Sequence, residues 1–332
     1  MIYKSCKYIQ NGIAFRHDAV TICNKLSGTK RYEDFNLPYE KGFYERFIEV
    51  RDKAIENCKK GILPHEGCQS CPYVEEKDWD DDTRFKEIEI THWTHCNCGC
   101  VYCAMLPVTH GKITRFSQNN PDIVLLPYIK RMLKEDRIHP DAFFSITGGE
   151  CTVLKEFPAM MKLLLGNKNA KYGFCLQSNG IKYEKLFSKA INSDRRTSIV
   201  ISIDAGSREM FKLIKRVDKY NDVINNFKRY LKDTKYNKDR IISKYIILPN
   251  INDSKEEIDK WIETSKKIGL KTLQPSIEFC SQVVKPGEYK DSQSELYYYM
   301  KEQIVANGFN IVTCDFIESI VKNRSYDITK KS

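Results

Sequence analysis

Four cysteines lie in the eight-residue segment Cys96-Asn97-Cys98-Gly99-Cys100-Val101-Tyr102-Cys103. One triplet among them, Cys96, Cys100 and Cys103, has the spacing C-x3-C-x2-C. Thiolates are soft ligands, and three of them on a short loop can hold three irons of a [4Fe–4S] cube. The fourth iron then has no protein ligand, and an open coordination position is what lets a metal centre bind a substrate. Closely spaced cysteines also bind zinc, so a zinc knot is the competing reading, and Cys98 can stand in for one of the triplet. The chain has thirteen cysteines in 332 residues, nine of them before residue 104. In a reducing compartment, where disulfides are not expected, so many thiols point to metal or redox chemistry.

Further along the chain, short apolar runs end in residues able to do chemistry. Thr147-Gly148-Gly149-Glu150 combines two glycines, which let the backbone turn sharply and approach a ligand, with a carboxylate able to accept from an ammonium group. Gly-Gly after a strand is also a common turn. Gln177-Ser178-Asn179-Gly180 and Ser202-Ile203-Asp204 end two more runs. Asn-Gly is an ordinary turn, and an Asp at a strand end is otherwise a helix cap. Lys244 offers a cation for a carboxylate, or is a plain strand lysine, and Asn250-Ile251-Asn252-Asp253 follows it.

In this order, these motifs resemble the radical S-adenosylmethionine (SAM) superfamily. The family signature is C-x3-C-x2-C with an aromatic residue before the last cysteine, a position held here by Tyr102. The resemblance implies that the open iron binds the amino and carboxylate groups of SAM. One electron then splits SAM into methionine and a 5′-deoxyadenosyl radical, which takes a hydrogen atom from the substrate. It further implies that Gly148, Gly149 and Glu150 bind the SAM amino group. Ser178 and Asn179 correspond to the family's Thr-Asn-Gly, Ser202 and Asp204 to the Ser-x-Asp near the SAM ribose and carboxylate, and Lys244 pairs with that carboxylate. The resemblance covers roughly residues 86 to 315 and implies a flavodoxin- or ferredoxin-like electron donor.

The elements that must position these residues alternate between strand and helix. The expected strands are Lys86–His92, Ala142–Thr147, Tyr172–Gln177, Ser198–Asp204, Ile241–Leu248, Thr272–Phe279 and Phe309–Thr313. Helical periodicity marks Asp122–Glu135, Asp222–Leu231 and Ser254–Lys267, the last opening with Ser254-x-x-Glu257, a capping box. Such alternation predicts an α/β fold with a parallel sheet, a partial (β/α)6 TIM-like barrel whose chemistry sits at the C-terminal strand ends. Residues 1–84 read as a small irregular N-terminal metal-binding domain with one helix near Lys41–Lys60, and 85–332 as the barrel domain.

Cys6, Cys23, Cys68 and Cys71 lie outside the barrel region, with Cys58 as a spare. They resemble part of the SPASM-type motif that binds auxiliary clusters in radical SAM enzymes, although here they precede the barrel. The expectation is an auxiliary [4Fe–4S] cluster, against a structural zinc or plain buried thiols. Cys280, at a strand end, is a candidate hydrogen-atom donor to a substrate radical, with Cys151 and Cys314 weaker ones. Cys175, Met160 and Met161 read as core, and His92 and His95 flank the cluster loop.

Composition sets broad bounds. Hydrophobic residues make up 41% and aromatics 11%, enough for a substantial core. No apolar run approaches the roughly 18 residues of a membrane span, and the start of the chain lacks a signal-peptide pattern, so a soluble cytoplasmic enzyme is expected. The net charge of +10 is spread among acidic residues as on a solvated surface; its functional alternative is attraction to an acidic partner. The function expected is hydrogen abstraction from a peptide or a small metabolite such as a sugar. The alternative is a zinc-containing nucleic-acid-binding protein, which has no need for the strand-end motifs.

Overall fold

The structure is a computed structural model. It describes residues 3–23, 36–64, 68–69, 71, 73–77, 82–103, 108–109, 112–113, 123–193, 196–278, 291–314, 317–318 and 321–322. The chain divides into two compact units, one of residues 1–94 and 119–175 and one of residues 95–118 and 176–332.

In the first unit the strand Phe85–Ile90 runs parallel to Ile138–Ile146 on one side and to Gly12–Phe15 on the other. Register sets Ile90 against Ile146 and against Phe15. Ala19–Thr21 and Asn36–Pro38 extend the sheet antiparallel beyond Gly12–Phe15. The N-terminal segment is thus more regular than its sequence suggests. Its strands are three or four residues long, too short to display an alternating pattern.

The helix Phe43–Lys59 falls where periodicity places it. Its Arg51 is buried and donates to the carbonyls of Gln10 and Thr83, with its guanidinium 4.5 Å from the Phe85 ring centroid. Asn11 donates to the carbonyls of Asp82 and Arg84 at 2.9 and 2.8 Å. These bonds tie the first turn of chain to the segment leading into Phe85–Ile90. The expected helix Asp122–Glu135 is seen as Leu126–Lys134. Pro127 occupies its first turn, and the Glu156 carboxylate accepts from the amides of Leu125 and Leu126, which fixes the start there.

In the second unit the strands follow the order Gly173–Ser178, Thr197–Ser202, Ile241–Ile247, Thr272–Ile277 and Asn310–Ile311, the first of them entering this unit at Leu176. The last three pairings are parallel, with Ser202 opposite Lys244 and Lys244 opposite Gln274. Helices Lys185–Ile191, Arg208–Lys215, Tyr220–Asp233, Lys255–Ile268 and Asp291–Ala306 lie between them in sequence. Ile241–Ile247 is buried at every position but Lys244, as expected of a strand covered on both faces. Both units are α/β; the strands of the second pair in parallel, while the first adds antiparallel strands to its parallel core of Gly12–Phe15, Phe85–Ile90 and Ile138–Ile146, and the class is that expected of a partial TIM-like barrel.

The capping box at Ser254 is half made. Ser254 accepts from the Glu257 amide at 3.2 Å, but the Glu257 carboxylate does not return to Ser254. It accepts instead from Gly206 N at 2.8 Å, Ser207 N at 2.9 Å and Ser207 Oγ at 3.0 Å, at the start of the helix Arg208–Lys215. Gly206 permits this, because a Cβ there would lie 2.5 Å from Glu257 O and Trp261 N. Glu257→Ala leaves two amides without an acceptor, and each unsatisfied buried donor costs about 1–3 kcal/mol. A loss of about 3 kcal/mol in urea unfolding is expected, against under about 0.5 kcal/mol for exposed Glu256→Ala.

Candidate functional site

The cysteine loop belongs to the second unit and is docked on a helix end. Helix Arg208–Lys215 stops at Arg216, which adopts φ +56°. The carbonyls left open at that end accept from the loop: Gly99 N to Lys215 O at 3.0 Å and Val101 N to Ile214 O at 2.9 Å. Within the loop, Cys103 N bonds Cys100 O at 3.1 Å and Cys98 N approaches Cys96 Sγ at 3.4 Å. Asn179 donates to Asn97 Oδ1 at 2.7 Å and to Cys96 Sγ at 3.7 Å. Val101 and Tyr102 pack on the buried cluster of Ile214, Ile246 and Leu248.

The buried Cys98 thiol hydrogen-bonds to the sulfurs of Cys100 and Cys96, which raises its own pKa. The Cys98 bond lowers Cys100 to about 7; burial opposes this and the Lys215 ammonium assists it. Among the described residues no three Cys, His, Asp or Glu side chains form a preformed metal cage. The donor chemistry nevertheless fits a thiolate-ligated cluster: soft ligands on one loop, with the Cys98 thiol in contact with both Cys96 and Cys100 and the Cys100 thiol shifted down.

Below the loop lies a buried polar group. Asp204 is 0% and Lys215 1% exposed. The Lys215 ammonium pairs with Asp204 Oδ2 and donates to Tyr102 Oη at 2.9 Å; Tyr102 in turn donates to Asp204 Oδ2 at 2.5 Å. Asp204 Oδ1 accepts from Ile246 N at 3.0 Å. Asn252 donates to Asp204 O at 2.8 Å and to Ile246 O at 2.9 Å, and it accepts from Leu248 N at 2.6 Å. Asp204 has φ +56°, a conformation an Asp tolerates better than most residues and which these bonds hold. Burial and the Asp204 charge raise the Tyr102 phenol well above its ordinary pKa. Burial works against the Lys215 charge, but Asp204 outweighs it and raises the ammonium. Sequence reasoning misses Lys215; its only signal is a place four residues after Phe211 and next to Ile214 on the buried helix face.

The other strand ends of this unit are shaped by local bonds. Ser178 Oγ accepts from Gly180 N and Asn179 Oδ1 from Ile181 N, each at 3.0 Å. Gly180 has φ +74°, and a Cβ there would lie 2.6 Å from Ile201 Cγ2. Ser202 and Lys244 are register partners, both half-buried. Among the described residues Lys244 has no ion-pair partner.

In the first unit, Gly148 has φ +115° and would bring a Cβ to 3.1 Å from Trp93 O, while Gly149 N bonds that same carbonyl at 3.0 Å. Glu150 is 1% exposed and accepts from Thr152 N at 3.1 Å and Thr152 Oγ1 at 2.7 Å. Buried His92 bonds Glu156 Oε1 through Nε2 at 3.0 Å, whereas His95, in the second unit, is exposed.

The N-terminal cysteines are drawn toward each other in the first unit. Burial raises the Cys6 thiol; the amides of Ile9 and Tyr8 bond to it, and Cys23 and Cys71 lie within electrostatic reach. Burial pushes Cys58 up to about 12, with Cys6 and Cys68 within electrostatic reach. Cys58, a spare by sequence, therefore lies near two members of the set. Cys151 is buried, Cys175 half-buried and Cys314 exposed. Cys280 lies outside the described residues.

The family model of the radical SAM superfamily matches residues 90–262, just over half of the chain. The chain belongs to the radical SAM superfamily. It is similar to GTP 3',8-cyclase of Pasteurella multocida, with 29% identity over 159 residues, 48% of this chain and 44% of that protein. It is also similar to a protein of Brachyspira hyodysenteriae named GTPase Obg, with 26% identity over 182 residues, 54% of this chain and 25% of that one. The chain thus spans less than half the length of either relative. Among solved structures, Streptococcus suis SuiB shares the fold at a TM-score of 0.51 and 15% identity, covering 83% of this chain and 55% of that one.

Lys215→Met alone strands a buried carboxylate, and breaking a buried pair from one side costs about 3–5 kcal/mol. Asp204→Asn with Lys215→Met removes both charges and keeps the acceptor for Ile246 N. Urea unfolding is expected to show the double variant less destabilised than the single one.

Proposed function

We propose that this chain reductively cleaves SAM at a [4Fe–4S] cluster held by Cys96, Cys100 and Cys103 and abstracts hydrogen from a peptide or small-metabolite substrate. The observation that carries this reading is the cysteine loop itself, a C-x3-C-x2-C triplet whose backbone is fixed by the end of the helix Arg208–Lys215. When bound, the cluster and SAM supply a 5′-deoxyadenosyl radical at the mouth of a partial barrel.

The chain's own residues then bind and orient. The half-buried Lys244 ammonium is assigned to the SAM carboxylate, a reading supported by its having no ion-pair partner among the described residues. The SAM amino group is assigned to Gly148, Gly149 and Glu150, on the family motif and on the close backbone approach that only glycine permits at 148. Ser178, Asn179 and Ser202 are assigned to the SAM nucleoside side. Tyr102 and Asp204 serve it from beneath, through the loop, since their polar atoms are engaged with Lys215. A hydrogen-atom donor role stays with Cys280.

We read residues 1–84 as a segment that carries an auxiliary [4Fe–4S] cluster on Cys6, Cys23, Cys68 and Cys71, with Cys58 now a ligand candidate on the same footing. Residues 85–332 carry the radical SAM function. A flavodoxin- or ferredoxin-like protein supplies the electron, in the cytoplasm. Among the described residues, no helix is long and apolar enough to cross a membrane. A structure of SuiB holds a precursor peptide, SuiA, and GTP 3',8-cyclase is named for a nucleotide; both classes stay within the proposed substrate range.

The test is 5′-deoxyadenosine formation by the anaerobically reconstituted chain with SAM and dithionite, together with iron analysis. Wild type is expected to form it and the Cys96, Cys100 and Cys103 to Ala variant to form none. Stoichiometric zinc without iron would overturn the reading in favour of a binding protein. Lys244→Ala is expected to weaken SAM binding about tenfold to a hundredfold, the loss of one charge-assisted hydrogen bond. Two clusters predict about eight irons per chain, falling to about four when Cys6, Cys58 and Cys68 are changed to Ala.

A further inference from the structure

We propose that Lys215, Asp204 and Tyr102 form a positioning device for the cluster loop, one that fixes the segment from Cys98 to Cys103 and holds a buried cation against Tyr102, between Cys100 and Cys103. The inference rests on the cluster reading of Cys96, Cys100 and Cys103.

A helix C-terminus carries partial negative charge on its open carbonyls. Here that end faces a loop with three prospective thiolates, and Ile214 O and Lys215 O are the acceptors that hold it. Alone, such an arrangement sets like charges against each other. The Lys215 side chain leaves the same helix turn and brings a positive charge back under the loop. Its ammonium bonds Tyr102, the residue that separates Cys100 from Cys103, and that phenol bonds Asp204.

Loop and helix are thereby joined twice, by backbone at Gly99 and Val101 and by side chain at Tyr102. The ammonium meets the loop at Tyr102, bonding its Oη at 2.9 Å and lying 5.2 Å from its ring centroid, so the buried cation stands against the residue between two of the cluster cysteines. A buried ion pair contributes little net stability compared with apolar residues of equal volume. Its value here is electrostatic and geometric: it offsets thiolate charge where the fold places a negative helix end.

The test uses the full chain, loaded with iron and sulfide under anaerobic conditions, with two variants. Tyr102→Phe keeps the ring and the ion pair and removes the link. Asp204→Asn with Lys215→Met removes the charge without stranding a partner. The readouts are iron release to a chelator and the midpoint potential from an EPR-monitored titration without substrate. Tyr102→Phe is expected to release iron about tenfold faster than wild type, the effect of one hydrogen bond. The double variant is expected to shift the one-electron equilibrium about tenfold away from the reduced cluster, about 59 mV.

Wild-type release rates and potentials in both loaded variants would overturn the device while leaving the cluster reading intact. Should the double variant fail to fold by circular dichroism, Tyr102→Phe decides alone through its release rate. A wild-type chain that takes up no iron would instead overturn the cluster reading, and the device with it.

Discussion

The contact between Lys215 and Asp204 is the constraint around which the second unit is arranged. Removing two charges from water is costly, and the cost is met only if nearly every polar atom of the pair finds a partner. Asp204 meets this condition with both carboxylate oxygens and its carbonyl, which engage Lys215, Tyr102, the Ile246 amide and the Asn252 side chain. Those partners come from three places: the cysteine loop, the end of a helix, and the strand Ile241–Ile247 with the turn after it. One carboxylate therefore fixes where the loop lies, where the helix ends and how the chain leaves the strand.

Close backbone approach is the second constraint, and glycine marks it. Gly206 lets the start of one helix reach the Glu257 carboxylate of another, and Gly180 lets the chain turn over Ile201. In the first unit, Gly148 lies against Trp93 O, and the amide of Gly149 bonds that carbonyl. At these positions a methyl group would meet backbone or buried side-chain atoms at 2.5–3.1 Å. The turns are set by steric exclusion, whatever ligand lies beyond them.

Much of this was legible in the sequence. The strands from Phe85 onward, the helix Phe43–Lys59 and the Ser254 cap stand within a few residues of where periodicity puts them, because long apolar runs and caps are local signals. The short N-terminal strands were not legible, since three residues carry no period. The partner of Glu257 was not legible either: the motif S-x-x-E predicts a bond to Ser254, while the fold brings two unpaired amides of another helix closer. Lys215 was hidden by its residue type. A lysine near the end of a helix reads as a solvated cation beside the helix dipole, and only the tertiary structure reveals that it turns inward to Asp204.

The cysteines fall into two sets that the fold holds in different ways. The loop set depends on one helix end and one buried ion pair, so its backbone is fixed by interactions that precede any metal. The N-terminal set is brought together differently. Cys6 begins a five-residue helix, Cys58 ends a seventeen-residue one, and Cys68 and Cys71 share a tight turn. Arg51, buried one helical face away from solvent, bonds the carbonyls of Gln10 and Thr83 and so holds the helix of Cys58 against the helix of Cys6. Burial makes free thiolates unfavourable at Cys6 and Cys58. A metal ion or cluster reverses that penalty, because coordination stabilises the deprotonated sulfur even in apolar surroundings. A metal at the N-terminal set would therefore offset the burial penalty on Cys6 and Cys58, whereas the loop set is held by the fold that carries it.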